Sequence, residues 1–221
     1  YDGDTRHYSL STFKGPLAAY YLWLAEQGHL TPQPQDEEWL LPMLAISSNP
    51  ATTCVIQRVG GLAGFNDWLA EVAGMPRQTN FVYSWNNYGC RMGRDVIFVS
   101  ADLRYRQGDA ALDLPGGSAL LRCLPRPRFC EKAFAPVELA RFYARLARGE
   151  ILNDDALATW KEWIEKDRSA SALARTLPDD PDLRLYIKNG YQAREGEEGI
   201  NYYNEAGIIE TRYGTYALAV F

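Results

Sequence analysis

Ser11 and Lys14 stand three positions apart in "LSTFKGPLAAYYLWLAEQG", residues 10–28. A capping serine beside a solvated lysine is the commoner meaning of such a pair, because both residue types abound on helix surfaces. The alternative is a nucleophile with its base. On a helix, the i to i+3 spacing puts hydroxyl and amine on one face. A helix starting at Ser11 would hold both in the field of its N-terminus, which favours a neutral amine and a developing oxyanion. A lysine kept neutral by burial and positive neighbours can accept the serine proton. Two further polar groups keep this pair company: Ser47-Ser48-Asn49 before Pro50, and Lys188-Asn189-Gly190 at the end of an apolar run.

The elements that must position these groups follow from periodicity. Residues 11–27 are apolar all round and stop at Gly28, which predicts a helix buried on most of its surface. "TPQPQ" at 31–35 is a loop. It is followed by a short helix, a Ser-Ser-Asn-Pro break, a second helix closing at Gly60-Gly61, and a third over 62–74. Residues 76–130 show no sustained helical period; "DVIFVSADL" could be a strand, and so long an irregular stretch is usually functional or mobile. Helices return over 135–151 and from Asn153 to Lys166, with Asn153 or Asp154 as the cap. "LRLYIKNG" and "GINYYNEAGIIETRYGTYALAVF" then read as strands, the last two flanking a tight turn near Gly214. Helices first and an antiparallel sheet last, without βαβ alternation, is an α+β pattern in a single globular domain over 1–221.

Composition narrows the chemistry. With 221 residues, a net charge of −5 and basic residues scattered along the chain, nucleic acid and anionic membrane are poor partners. No apolar run approaches the roughly 18 residues of a membrane span, and no signal peptide is visible, so any export signal would lie upstream. Two histidines (His7, His29) and four cysteines without a CxxC pair argue against a zinc cage or a histidine triad. Cys90, Cys123 and Cys130 share one irregular region, which suits either a disulfide in an exported protein or three free thiols in a reducing cytosol. Tyr20, Tyr21, Trp160 and Trp163 read as core, the Arg/Glu run at 194–198 as a solvated loop, and "DLPGGSA" before and after Ser118 as a plain loop.

The set S-x-x-K, S-x-N and K-x-G, in that order, resembles the signature of class A β-lactamases and penicillin-binding proteins. "LSTFKGPLAAYYL" is similar to their active-site helix, "MLAISSNPATTCVIQRVGGLAGFNDWLAEVAG" to their Ser-Asp-Asn helix with its Gly-Gly and the next short helix, and "YIKNG" with "GIIETRYGTYALAVF" to their closing strands. The likeness covers roughly two thirds of the chain. It implies an antiparallel sheet packed with helices and a reduced all-helical lobe, the lobe spanning about 15–135 and the late helices and strands about 136–221. It implies Ser11 as the acylated nucleophile and Lys14 as its base. Ser47 would relay a proton to the leaving nitrogen, and Lys188 would support the positive field and the substrate carboxylate. Asn49 would hold the substrate amide beside Asn189 and Gly190, and the backbone N–H groups of Ser11 and Tyr191 would form an oxyanion hole worth roughly 3 kcal/mol per donor. No cofactor or metal is called for. The implied partner is a β-lactam or a peptidoglycan-like substrate, met after export to the periplasm or beyond.

Departures from the family pattern qualify those implications. Ser48 replaces the usual Asp, and Asn189 replaces a Thr or Ser hydroxyl. Ser11 and Ser47 are 36 positions apart, shorter than in the family, so part of the helical lobe is expected to be trimmed. The chain also begins about ten residues before Ser11, so the family's N-terminal helix and first two strands are expected to be missing, or supplied by another segment or a second chain. In "FVYSWNNYGCRMG", with Trp85 in the family's place, Asn86 stands where the deacylating glutamate belongs, with Glu131 as a substitute base or an ordinary surface residue. An amide cannot take a proton from water at neutral pH, so deacylation is expected to be slow. Three functions are consistent with this pattern: an acyl-enzyme former acting on β-lactams or related amides, a D-Ala-D-Ala-type peptidase or amidase with the same centre, or an inactive binding module on the same fold.

Overall fold

The computed structural model describes residues 3–5, 7–76, 98–99, 104–107, 110–113, 133–166, 171–192 and 202–221. Among these, a short strand β1 (His7–Tyr8) leads into a 3₁₀ turn, Leu10–Phe13, and directly into α1 (Lys14–Glu26). α2 (Pro34–Ala45), α3 (Asn49–Arg58) and α4 (Leu62–Glu71) follow. The middle contributes β2 (Phe98–Val99), β3 (Arg104–Gln107), β4 (Ala110–Asp113) and β5 (Ala133–Phe134). Then come α5 (Pro136–Ala147), α6 (Asp154–Ile164) and β6 (Glu165–Lys166). β7 (Arg184–Gln192), β8 (Tyr202–Thr211) and β9 (Gly214–Val220) close the chain.

The α+β order expected from periodicity is the one observed. β6-β7-β8-β9 form an antiparallel sheet, β2-β3-β4 a smaller one, and β1 pairs with β5. Asn153 caps α6, accepting from the N–H of Ala156 at 2.9 Å. The 202–221 segment turns at Arg212-Tyr213, with Gly214 at φ +139°, a backbone setting that favours glycine.

α1 has no polar face because it is the central helix. Every residue from Lys14 to Leu22 is buried, and Phe13, Leu17, Tyr20 and Tyr21 share one apolar cluster with α2 to α6 and with Tyr186, Ala206 and Ile208 of the sheet. Trp160 and Trp163 belong to that cluster, as expected. The side chains of β7 and β8 alternate between two faces. Tyr186 and Ile208 turn to the main cluster, while Leu185, Ile187 and Ile209 pack with Ala174 in a second, small one.

The entry to α1 is held by α5 and α6. Trp160 donates from Nε1 to the Gly15 carbonyl at 3.0 Å. A Cβ on Gly15 would fall 2.3 Å from the Tyr143 hydroxyl, so glycine is what lets α5 lie this close. Pro16 sits in the first turn of α1, where its missing N–H leaves no helical bond unmade.

A buried carboxylate ties the first three helices together. Asp36, 1% exposed, accepts from the Tyr21 hydroxyl (2.7 Å), the Gln33 N–H (2.9 Å) and Arg58 Nε (2.8 Å). Burial pushes its carboxyl upward, but the bonds from Arg58, Tyr21 and Gln33 outweigh that and hold it below the ordinary carboxylate value.

Cys54 on α3 adds to the cysteine reading. It is disulfide-bonded, with its partner outside the described residues, whereas the sequence expectation drew any disulfide from Cys90, Cys123 and Cys130 alone. Spacing along the chain gave no reason to include it, because the link to α3 is made by the fold.

Candidate active site

Ser11 lies on the 3₁₀ turn, one step before α1, and not in the α-helix that the sequence pattern predicts to start there. In a 3₁₀ turn positions i and i+3 eclipse, so the Ser11 to Lys14 spacing still puts the two positions on one side of the turn. The turn is fixed by the Ser9 carbonyl, which accepts from the Thr12 N–H (3.0 Å) and hydroxyl (2.6 Å). Leu10, immediately before Ser11, has φ +49°, a strained setting for a branched side chain.

Lys14 is 1% exposed, and its Nζ is turned toward the break between α2 and α3. Nζ donates to the Ser47 carbonyl (2.7 Å) and to Asn49 Oδ1 (2.8 Å), and lies 3.1 Å from Ser47 Oγ, which can donate or accept. That break is built for the purpose. Ser47 adopts φ +59°, a left-handed setting that reverses the chain after α2. Ser48 then caps α3, its Oγ accepting from the Ala51 N–H at 3.3 Å, and Pro50 occupies the first turn. Asn49 is thereby the first residue of α3, with its side chain turned away from the helix ladder. The serine that departs from the family's Asp is thus a helix cap.

The third group arrives on β7. Lys188 is 1% exposed and donates to the Asn189 carbonyl (2.7 Å) and to Asn189 Oδ1 (3.2 Å). β7 runs hard against the 3₁₀ turn: a Cβ on Gly190 would sit 2.6 Å from Ser11 N and 2.8 Å from Leu10 Cβ. Only glycine allows this approach, which sets Tyr191 one residue from the strand's contact with the Ser11 amide. The Tyr191 side chain is 65% exposed.

Three elements carry the predicted residues: Lys14 at the start of α1 meets Ser47 and Asn49 of the α2–α3 break, and Gly190 of β7 abuts the Ser11 backbone, with Lys188 and Asn189 just before it on the strand. Asn86 and Glu131, the two deacylation positions, lie outside the described residues, as do Trp85, Cys90, Cys123, Cys130, Ser118 and the 194–198 run. Two residues of the site's surroundings were not foreseen, Tyr203 and Glu205 on β8. Glu205 is 3% exposed and lies opposite Asn189 in the strand register. Their signal in the sequence is a Tyr-x-Glu at strand period, meaningful only once the pairing with β7 is known.

No group of three or more His, Cys, Asp or Glu residues suited to a metal occurs among the described residues, and no helix there is long and apolar enough to cross a membrane. The candidate site offers two buried lysines, two serines and two amides: Lys14, Lys188, Ser11, Ser47, Asn49 and Asn189.

Comparison with known proteins bears on the family and the fold. The profile of the Beta-lactamase enzyme family matches residues 37–221, a span that begins after Ser11 and Lys14. No curated protein matches by sequence. Among solved structures, the fold is similar to a β-lactamase from Sphaerobacter thermophilus (TM-score 0.64, 20% identity, 99% of this chain and 75% of that one). It is also similar to the chromosome-encoded β-lactamase of Vibrio parahaemolyticus (TM-score 0.67, 14% identity, 99% and 76%). A third likeness is to PBP-A (TM-score 0.62, 18% identity, 98% and 72%).

Proposed function

The chain belongs to the beta-lactamase enzyme family, and from that premise we propose that it is a serine hydrolase or acyltransferase of the penicillin-recognising type, acylated on Ser11. The observation that carries the proposal is the coordination of Lys14. Two of its partners, the Ser47 carbonyl and Asn49 Oδ1, can only accept, and they take the two shorter bonds. A neutral amine satisfies both with its two N–H groups and keeps one lone pair. Ser47 Oγ, at 3.1 Å, is a partner that can both donate and accept.

A proton path follows. The Ser11 Oγ–H proton passes to Lys14 as the oxygen attacks the substrate's amide carbon. The resulting ammonium donates to Ser47, and Ser47 Oγ–H protonates the nitrogen as the C–N bond breaks. The product is an ester on Ser11 with an amine on the departing side, and Lys14 is neutral again. Ser11 N and the N–H of Tyr191 are the donors to the oxyanion on this reading, which the close approach of Gly190 to Ser11 N supports. Lys188 is the cation for the substrate's carboxylate.

Release is the step we expect to be slow, because with Trp85 in the family's place Asn86 stands where the deacylating glutamate belongs, and an amide cannot accept a proton from water; Glu131 is the alternative base. The disulfide at Cys54 fits an oxidising compartment and so an exported enzyme. The likeness to PBP-A, of which a point variant is known as an acyl-enzyme complex with penicillin G, favours benzylpenicillin as the first substrate to try. It also keeps a cell-wall peptidase as the second reading, distinguished by turnover of D-Ala-D-Ala peptides without turnover of β-lactams. Fluorescent penicillin should label the wild-type chain and leave Ser11→Ala unlabelled. Equal labelling of the two would remove Ser11 from the account, and absence of labelling by any penicillin would remove the β-lactam substrate class.

A further inference from the structure

Lys188 and Asn189 do not stand alone on the sheet. β6 pairs only with Leu185 and Tyr186, so residues 187–192 form the open margin of β7 among the described elements. On the same strand face as Asn189 lie Glu205, directly opposite it, and Tyr203, two residues away. The Tyr203 hydroxyl donates to Glu205 Oε1 at 2.8 Å. Glu205 is locked in turn: Oε1 accepts from the Ala172 N–H (3.0 Å) and Oε2 from the Leu173 N–H (2.8 Å).

The direction of these bonds decides the orientation of Asn189. A hydroxyl has one proton, and that of Tyr203 is committed to a carboxylate that can only accept. Toward Asn189, its diagonal neighbour across the register, Tyr203 can therefore only accept, and of the two amide atoms only Nδ2 can donate to it. That leaves Oδ1 facing Lys188 Nζ, at 3.2 Å. The reverse orientation would set an amide donor against an ammonium and leave a partly buried donor unpaired, an arrangement that costs more than one lost bond.

We propose that Tyr203, held by Glu205, is a positioning residue that turns the Asn189 amide so that its oxygen braces the Lys188 ammonium. On this assignment Asn189 is part of the mounting of Lys188. It does not replace the hydroxyl that family members offer to the substrate's anionic group, and that group is left to Lys188. The inference rests on the reading of Lys188 as the carboxylate-binding cation, so its test has one arm that needs no activity.

In the first arm, the side-chain amide protons of Asn189 are followed by NMR hydrogen exchange, assigned by their loss in Asn189→Ala. Wild type should protect them about tenfold over an exposed amide, and Tyr203→Phe should abolish the protection. In the second arm, acylation is timed with benzylpenicillin and with p-nitrophenyl acetate, which carries no carboxylate. Tyr203→Phe should weaken penicillin binding about tenfold, keep the limiting acylation rate within about twofold and leave the ester unaffected. In an Asn189→Ala background it should have no further effect, because the two residues act through one bond.

Unchanged amide protection, equal losses on both substrates, or additive losses in the double variant would each overturn the assignment. If the wild-type chain takes no penicillin while amide protection behaves as described, the acylation reading fails and the Tyr203 assignment stands.

Discussion

At the residue scale, the account rests on how a buried lysine is satisfied. Lys14 is held by two oxygens that only accept and one that does both, which is what a base and relay require. Lys14→Ala should lower the acylation rate constant by about 10²- to 10⁴-fold, the usual weight of a positioned base, while melting within a few degrees of wild type. Stopped-flow acylation with penicillin beside a thermal melt checks this, and a loss of less than about tenfold would move the base elsewhere. Ser11, Lys14, Ser47, Asn49, Lys188 and Gly190 were all legible in the sequence, because three short motifs with local spacing name them. Tyr203, Glu205 and Asp36 were not. Each acquires its meaning from partners far along the chain, such as Asn189 across the β7–β8 register or Arg58 against Asp36.

At the element scale, the site is a meeting of a 3₁₀ turn, a helix break and a strand edge. Order and type of the main helices and closing strands were legible from apolar periodicity and from glycine and proline stops. The 3₁₀ turn at Leu10–Phe13 was not, because a helix start and a 3₁₀ lead-in share the same pattern of buried positions. The contact between β7 and that turn follows from tertiary packing alone. Gly190→Ala should drive the strand from Ser11, since the added carbon would meet backbone nitrogen at 2.6 Å and backbone cannot yield as a flexible side chain can. The expected result is a loss of acylation rate of about 10²-fold, with a stability cost of about 1–3 kcal/mol from overpacking. A variant that acylates at the wild-type rate would show that β7 does not set the geometry around Ser11.

At the scale of the whole molecule, the helices around α1 are fastened by Asp36, and this gives stability a definite pH dependence. Its folded-state carboxyl is held below the unfolded value of 3.8. Its contribution is therefore fully present above that value and disappears as pH falls through the lower, folded one. Asp36→Asn should cost roughly 3 kcal/mol at pH 7, because it removes the buried carboxylate's charged bonds and leaves the partly buried Arg58 without its counter-charge. The gap between variant and wild type should narrow below about pH 4. Urea unfolding at pH 7 and pH 3 measures both, and a gap independent of pH would contradict the assignment. The α+β architecture and the family were legible from the sequence as a whole. The engagement of Cys54 was not, because nothing in the sequence around it on α3 marks it as bonded. The central claim remains chemical, and time-resolved intact mass with peptide mapping tests it most directly. On mixing with benzylpenicillin, the account predicts a gain equal to one whole penicillin, located on the peptide carrying Ser11, absent in Ser11→Ala and lost only slowly. No adduct, or an adduct on any other residue, would contradict it.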